Sequence, residues 1–275
     1  MKKGFFIVVV VLLLIAFGVS AFMVGSYLLE GKQQEDRYDQ LSQIAANNRE
    51  TTQATQAETT SAPETTEAEE TTEATTEPEP ETEPTMIPGY AEIYAENEDT
   101  VGWLKIEGTR VDYPVMQTPD DPNFYLYRDF DKKQSQRGSV YAWGDADINE
   151  PSDNITLFGH NMADGSMFAT LSNYVHEYYW EDNSLIFFDT LNEYHTYKIF
   201  AVFKTSANIG EGYSYHKFVD AETEEEFDAF VSKVKSLSFY DTGITPVYGD
   251  KLIALSTCEY TLNNGRLVVC AVRIS

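Results

Sequence analysis

The stretch Lys251–Ser275, KLIALSTCEYTLNNGRLVVCAVRIS, decides how the chain folds. Two short runs of apolar β-forming residues flank a polar segment that contains Asn263-Asn264-Gly265, whose residues tolerate positive φ. This pattern predicts a β-hairpin. Cys258 comes where the first strand ends and Arg266 where the second begins, so the hairpin mouth offers a thiol and a fixed cation on neighbouring strands.

A second apolar β run ends at Gly159-His160-Asn161. A thiol that attacks an amide needs an acid or base, normally His, and donors for the developing oxyanion. His160 stands at a strand end, where a rigid sheet holds catalytic groups in loops. The glycine before it permits a close backbone approach, and Asn161 is placed to orient the ring. Three further histidines lie in Tyr-rich contexts that indicate surface or packing roles: His176, His195 and His216.

These segments resemble the sortase family, through Leu255-Ser256-Thr257-Cys258, Arg266 and Gly159-His160-Asn161. Further segments extend the resemblance to the class B branch, over most of residues 86–275: Val101–Ile106, Val111–Gln117 and Gly165–Ala169. The chain departs from the family's Thr-Leu-x-Thr-Cys motif at Ala254, which stands in place of the first Thr and lacks its hydroxyl.

The resemblance implies an extracellular cysteine transpeptidase that uses no cofactor. Cys258 would attack the carbonyl of a Thr in a C-terminal sorting signal, Arg266 would hold the oxygen, and His160 would protonate the departing amine. Nearby cations favour thiolate over thiol. The partners implied are surface proteins bearing that signal and an amino group of a cell-wall precursor or a pilin lysine. Four neighbours are expected to contact the substrate: Asn161, Ser256, Thr257 and Glu259.

Alternatives remain open for the cation and for the function. Arg128, Arg137 and Arg273 compete for the anion-stabilising role, but Arg266 alone matches the family position beside the cysteine. A pilus-assembling sortase would differ in its acceptor, and a catalytically silent, stalked binding domain would keep the barrel without turnover.

The two cysteines are predicted to be free thiols. If residues near 258 pair with residues near 266, the partner of Cys270 lies near Ala254. Cys258 is then about four residues along the ladder, roughly 13 Å away, whereas a disulfide needs Cα atoms within about 7 Å. Cys270 is therefore expected to be a small core residue.

The N-terminal residues 1–25 are predicted to be a membrane anchor. An unbroken apolar run covers Phe5–Phe17 and continues to about Val24, and roughly 20 apolar residues span a bilayer. A cleaved signal peptide is the alternative, since Val19-Ser20-Ala21 is a passable cleavage site. The preceding lysines put the N-terminus inside and the remainder outside.

Residues 26–85 are predicted to be an acidic stalk before a catalytic domain at 86–275. Gln33–Arg49 is polar with weak helical spacing, through Tyr38, Leu41 and Ile44, which indicates a short membrane-proximal helix. Glu50–Thr85 consists largely of Thr, Glu, Ala, Gln and Pro, with almost nothing to bury, which is typical of a disordered, extended segment.

The catalytic domain is predicted to be mainly β. Eight strands are indicated, at 102–106, 110–116, 138–142, 154–159, 185–189, 194–204, 251–257 and 266–273. Short strands separated by turns favour a closed or sandwich-like fold, and the resemblance implies an eight-stranded barrel with a helix in the loop before the Cys258 strand. Helices are predicted at Ala91–Asn97, Met167–Tyr178 and Glu222–Leu237, the last with an acidic first turn and late lysines.

The charge limits the partners. A net charge of −26 excludes nucleic acid, whose phosphates need a basic surface. One loop holds four acidic residues that could bind calcium, although the loop lacks the EF-hand pattern and a solvated loop is the ordinary interpretation: Asp145, Asp147, Glu150 and Asp153. No metal site is therefore predicted, and zinc spacing and phosphate loops are absent from the sequence.

Overall fold

A computed structural model describes residues 2–59, 85–208 and 210–275. Its eight strands form a closed barrel in the order β1-β2-β3-β4-β7-β8-β6-β5. The strand bounds are β1 Thr100–Lys105, β2 Asp112–Met116, β3 Val140–Ala142, β4 Asn154–Phe158, β5 Leu185–Thr190, β6 Thr196–Ser206, β7 Leu252–Glu259 and β8 Gly265–Arg273. The eight predicted strands and the closed barrel are thus confirmed, with strand ends shifted by a residue or two.

The barrel combines local hairpins with two long-range parallel pairings. β1 pairs with β2 and with β5, and β6 pairs with β5 and with β8, all antiparallel. In contrast, β2 runs parallel to β3 and β4 runs parallel to β7. A parallel pair cannot be joined by a tight turn. The β4–β7 pair therefore brings together segments far apart in the sequence.

Strands β7 and β8 form the predicted hairpin. Cys258 pairs with Arg266 and Ala254 with Cys270, as the sequence argument expects, and both cysteines are free. Asn264 adopts a φ of 49°, which Asn tolerates better than most residues. The turn is thereby made by the predicted segment.

The alternation of side chains along β7 and β8 serves two hydrophobic cores. Ile253, Leu255 and Val269 point into the barrel interior. Ala254, Cys270 and their neighbours on the opposite face belong to a second core outside the barrel. Successive strand residues point to opposite faces, so this hairpin is covered on both sides.

Helix α4, Glu224–Leu237, covers the outer core. Its buried stripe consists of Phe227, Phe230, Val231 and Val234. Thr223 caps the helix by accepting a hydrogen bond from the Glu226 amide at 3.3 Å. Three glutamates in the first turn and Lys235 in the last complement the helix dipole. The helix predicted before the Cys258 strand is confirmed.

The segment predicted as one helix at 167–178 is two shorter elements. A 3-10 helix spans Ala169–Val175, and helix α3 follows at Glu177–Asp182. Met167 has a φ of 54° and bridges to Asn161, so a right-handed helix cannot begin there. The shorter predicted helix before β1 is confirmed as α2, Pro88–Glu96.

Helix α1 runs from Lys2 to Thr59 and crosses the expected boundary between anchor and stalk. It contains an apolar stretch long enough to cross a membrane. Beyond that stretch, buried residues recur at alternating spacings of three and four along one face, at Gly31, Gln34, Tyr38, Leu41 and Ala45.

The helix indicated over Gln33–Arg49 is thus present as part of α1, and it is docked on the barrel. A three–four spacing places side chains on one side of a helix, which the sequence indicated only through Tyr38, Leu41 and Ile44. The Gln34 side chain donates to the Gly138 carbonyl at 2.7 Å and accepts from the Ser135 hydroxyl at 2.8 Å. Residues 60–84 of the predicted stalk lie outside the described residues.

Candidate active site

Three neighbouring strands bring the proposed catalytic residues together. In the parallel pair β4–β7, Phe158 lies opposite Ser256, so His160 and Cys258 each follow two residues later at the same edge. In the hairpin, Cys258 lies directly opposite Arg266. Side chains of directly opposed residues stand on the same face of a sheet. The order across this edge is thus imidazole, thiol and guanidinium.

All three residues line one cavity of about 240 Å³ on the outer side of the barrel. Each of the three is partly exposed. The remaining wall is largely aromatic and includes Tyr141, Trp143, Phe158, Tyr215 and His216. An apolar concave site with a few converging polar groups is the usual form of a substrate site.

The imidazole of His160 has a fixed orientation. Its Nε2 lies 2.8 Å from the backbone carbonyl of Leu126, and the ring packs at 5.5 Å from that of Tyr127. A carbonyl oxygen can only accept a hydrogen bond, so Nε2 carries the proton in this contact. Nδ1 is therefore the ring nitrogen left to exchange a proton with a substrate.

Gly159 is required by packing against Phe168. A Cβ at this position would lie 2.7 Å from the Phe168 ring, and the Phe168 amide donates to the His160 carbonyl at 2.9 Å. The close backbone approach predicted for Gly159 is therefore an approach to a buried ring. It holds the end of β4 against the loop that follows.

Arg266 is held by backbone and amide oxygens at the hairpin turn. Its Nη1 donates to the Gly265 carbonyl at 2.9 Å and to the Asn264 side chain at 3.2 Å. Among the residues that the structure describes, Arg266 forms no ion pair with a carboxylate. A guanidinium has five N–H donors, so donors remain for an oxygen in the cavity.

The other arginines considered for this role have different partners. Arg137 pairs with Asp164, and the Arg128 guanidinium lies 4.3 Å from the centre of the Phe124 ring. Arg273 pairs in register with Tyr197 near the far end of β8. Within the described ranges, Arg266 is the sole arginine that lines the cavity.

Two of the expected substrate contacts line the cavity but are buried within the protein. The Ser256 hydroxyl shares a hydrogen bond of 2.5 Å with the Tyr215 hydroxyl. The Thr257 hydroxyl donates to the Gly159 carbonyl at 2.8 Å. The first bond links β7 to Tyr215, and the second links β7 to the end of β4. Ser256 and Thr257 therefore support the positions of Cys258 and His160.

The other two expected contacts lie beside the cavity. The side-chain amide of Asn161 donates to the Cys258 backbone carbonyl at 2.9 Å. This bond links the residue after His160 directly to the strand that carries Cys258. Glu259 accepts a bond from Lys204 at 2.9 Å and bonds from the backbone of the hairpin turn. Burial raises its pKa, but hydrogen bonds from Lys204 and Thr261 outweigh that effect and lower the pKa to about 2.

His216 is a cavity residue that the sequence argument assigned to surface or packing. Its ring lies 5.2 Å from that of Trp143 and 6.3 Å from that of Phe158. Burial lowers its pKa below the ordinary histidine value. The local sequence carries no strand or spacing signal for this position, because the 3-10 helix Tyr215–Lys217 meets β4 only through the tertiary fold.

The acidic loop considered for calcium is engaged by the protein itself. Asp147 accepts bonds from the Asn149 and Glu150 amides, Asp145 accepts from Trp143, and Asp153 pairs with Lys251. No group of three or more metal-binding side chains occurs within the described part of the chain.

Comparison with known proteins identifies the family. The sortase domain family model matches residues 104–274. Sortase B of Staphylococcus aureus is 29% identical over 188 residues, which cover 67% of this chain and 74% of that protein. Sortase B of Listeria monocytogenes is 32% identical over 178 residues, which cover 63% and 69% respectively. A solved Staphylococcus aureus sortase B–substrate complex superposes with a TM-score of 0.64 at 28% identity, covering 69% of this chain and 86% of that one.

The chain belongs to the sortase family. The relatives and the solved structures support the class B type, so the protein is a sortase transpeptidase with a cysteine-based chemistry.

Proposed function

We propose that this protein cleaves a C-terminal sorting signal after Thr and transfers the surface protein to an amino group of a cell-wall precursor. The observation that supports this proposal is the convergence of His160, Cys258 and Arg266 on one cavity at the ends of three adjacent strands. The reaction type follows from the family, and the roles of the individual residues are our assignment.

The first half-reaction forms a thioester. The Cys258 sulfur, as thiolate, attacks the carbonyl carbon of the signal Thr, and Arg266 donates hydrogen bonds to the resulting oxyanion. The tetrahedral intermediate collapses, the peptide C–N bond breaks, and His160 gives its Nδ1 proton to the departing amine. The products are an acyl-enzyme and a free C-terminal peptide.

The second half-reaction reverses these roles. An acceptor amine attacks the thioester carbon, the neutral His160 removes its proton, and the sulfur departs as thiolate. The acyl group now forms an amide bond with the acceptor. The partly exposed position of Cys258 at the cavity mouth is compatible with the entry of an amine after the first product has left.

The N-terminal part of α1 is proposed to anchor the enzyme, with the N-terminus in the cytoplasm and the barrel outside. The apolar stretch of α1 supports a bilayer span, and the lysines before it support the orientation. The enzyme would then meet its acyl donor and its amine acceptor on the extracellular side of the membrane.

The test uses the full chain in lipid nanodiscs, a panel of quenched peptides with varied sorting signals, and an amine acceptor. Mass spectrometry follows the released fragment, the amide product and the Cys258 adduct. We expect cleavage after Thr and an adduct that is lost in Cys258→Ala, while Cys270→Ala keeps both. Product formation that persists in Cys258→Ala would overturn the assignment of the nucleophile.

A further inference from the structure

The docked part of α1 meets the barrel at Arg137, a partly buried residue. Gly31 is packed so closely against Arg137 that a Cβ at this position would overlap the guanidinium. The same guanidinium lies 5.5 Å from the centre of the Tyr27 ring, one helical turn earlier. The Arg137 side chain is only 11% exposed. The surface of α1 therefore forms one side of the site that holds this guanidinium.

Arg137 also holds the loop that follows His160. Its Nη1 pairs with the Asp164 carboxylate and donates to the Ser166 hydroxyl at 2.9 Å. Arg110 binds the Asp164 carbonyl at 2.9 Å and pairs with Glu35 of α1. The loop is thus fastened from two sides by arginines that contact α1.

The charge of this contact is fixed over the working pH range. Burial raises the pKa of Asp164, but hydrogen bonds from Ser166 and Arg137 outweigh burial and lower the pKa to about 2. Asp164 is therefore ionised at any pH at which the enzyme would be assayed, and the ion pair with Arg137 does not titrate there.

The loop in turn fixes the backbone of His160. Met167 bridges to Asn161, and the Phe168 amide donates to the His160 carbonyl at 2.9 Å. The Met167 amide donates to the Tyr113 hydroxyl at 3.1 Å, and the Tyr113 ring packs against Tyr38 of α1 at 5.2 Å. A continuous set of contacts therefore leads from α1 to the His160 carbonyl and to Asn161.

We propose that docking of α1 positions His160 for catalysis, and that Arg137 is the positioning residue that joins the two. This inference rests on the proposed role of His160 as the acid and base. The membrane-proximal helix is then a working part of the active site in addition to being a tether. Arg137 does not line the cavity that holds Cys258; it acts through the loop at 161–167.

The sharpest test is a pair of glycine substitutions in α1. Gly31→Ala puts a methyl group against the Arg137 guanidinium, whereas a Cβ at Gly25 would meet no heavy atom within 4 Å in the described part of the chain. In nanodiscs, we expect Gly31→Ala to lower kcat about tenfold with little change in KM, because a small misplacement of a catalytic group reduces rate. Gly25→Ala should retain the wild-type kcat.

A double-mutant cycle separates positioning from general destabilisation. Arg137→Gln should lower kcat by about the same factor as Gly31→Ala, and combining the two should cost little more, because both break one coupling. Arg137→Lys should restore little of the kcat that Arg137→Gln loses, since an ammonium cannot reproduce the guanidinium geometry. Additive losses, or losses that follow the melting temperature alone, would overturn the proposal.

A second measurement does not depend on turnover. Histidine-selective ¹⁵N labelling of the full chain in nanodiscs, with the resonance assigned by His160→Gln, reports the imidazole environment directly. We expect the His160 signals to move in Gly31→Ala and in Arg137→Gln and to stay fixed in Gly25→Ala. Unchanged His160 signals would refute the coupling. Wild-type turnover in His160→Gln would instead refute the proposed role of His160 and leave the resonance result to decide the coupling.

Discussion

Two thiols on the same face of one hairpin have opposite environments. Cys258 pairs with Arg266, and four residues along the ladder Cys270 pairs with Ala254. Cys270 is 2% exposed in the outer core beneath α4, where burial raises its pKa well above the ordinary thiol value. Cys258 is partly exposed at the cavity, between an imidazole and a guanidinium.

The difference shows that the elements packed over the hairpin, and not the strands themselves, determine how exposed each thiol is. The hairpin gives both side chains the same direction. α4 closes over one end of that face with Phe227 and Phe230, whereas at the other end the wall of Tyr215 and His216 leaves a cavity. Chemistry is therefore confined to the part of the sheet that α4 leaves uncovered.

The largest expected effect separates the two thiols. Cys258→Ala should reduce turnover by about 10³-fold or more, since it removes the thiol that lines the cavity with His160 and Arg266. Its melting temperature should change little. Cys270→Ala should keep turnover per folded molecule and lose roughly 1 kcal/mol of unfolding free energy. Peptide cleavage assays and calorimetry on the two variants check this contrast, and a loss of activity in Cys270→Ala alone would contradict it.

The second effect concerns the cover over Cys270. Phe227→Ala should lower the free energy of unfolding by about 3–5 kcal/mol, because it removes a buried ring from the outer core. The raised pKa of Cys270 keeps it as an unreactive thiol in the native protein at alkaline pH.

Alkylation at pH 8 followed by mass spectrometry should therefore modify Cys258 alone in the wild type and both cysteines in Phe227→Ala. Tyr248→Ala, at an exposed ring beside Phe227, is the matched control. Modification of Cys270 in the wild type would show that α4 does not seal this end.

A smaller effect tests the cation that distinguishes the catalytic end. Arg266→Lys should lower kcat by about 10²-fold, because the ammonium keeps the charge but loses the planar set of donors that we propose binds the oxyanion. KM should change less than kcat. Arg128→Lys, which loses packing on the Phe124 ring and a 3.4 Å hydrogen bond to the Phe124 carbonyl, is the control and should stay near the wild-type rate. Full activity in Arg266→Lys would show that charge alone suffices.

The smallest effect is at the turn that joins the two strands. The pKa of Glu259 is lowered in the folded protein, so its contribution to stability is present above the ordinary carboxyl pKa of about 4.3 and is lost as the pH falls towards about 2. Glu259→Gln should therefore flatten the decline in melting temperature across this range while changing turnover little. An unchanged acid profile would mean that the ion pair with Lys204 adds nothing to stability.

The sequence predicted what depends on local pattern. The eight strands, the β7–β8 register and the free thiols follow from alternation, turn residues and residue counting along a ladder. The grouping of Cys258, His160 and Arg266 followed from strand ends together with the family resemblance.

Other features required contacts that no local pattern encodes. The buried face of α1 includes Gly31 and Gln34, which are not hydrophobic residues. The hydrophobic periodicity of this segment is therefore weak in the sequence. His216 enters the cavity from the 3-10 helix Tyr215–Lys217, and Arg137 meets Gly31 and Tyr27 of α1 across more than 100 residues of sequence. Each of these positions depends on packing between segments distant in the chain.

The parallel pairing of β4 with β7 has a consequence for folding. The Thr257 hydroxyl and the Gly159 carbonyl that it binds are 98 residues apart in the sequence. Contacts of such long range form slowly, because the entropy of closing the intervening chain must be lost before they stabilise anything. We therefore expect Cys258 and His160 to come together only when the barrel is complete. A partly folded chain should then be inactive in acyl transfer.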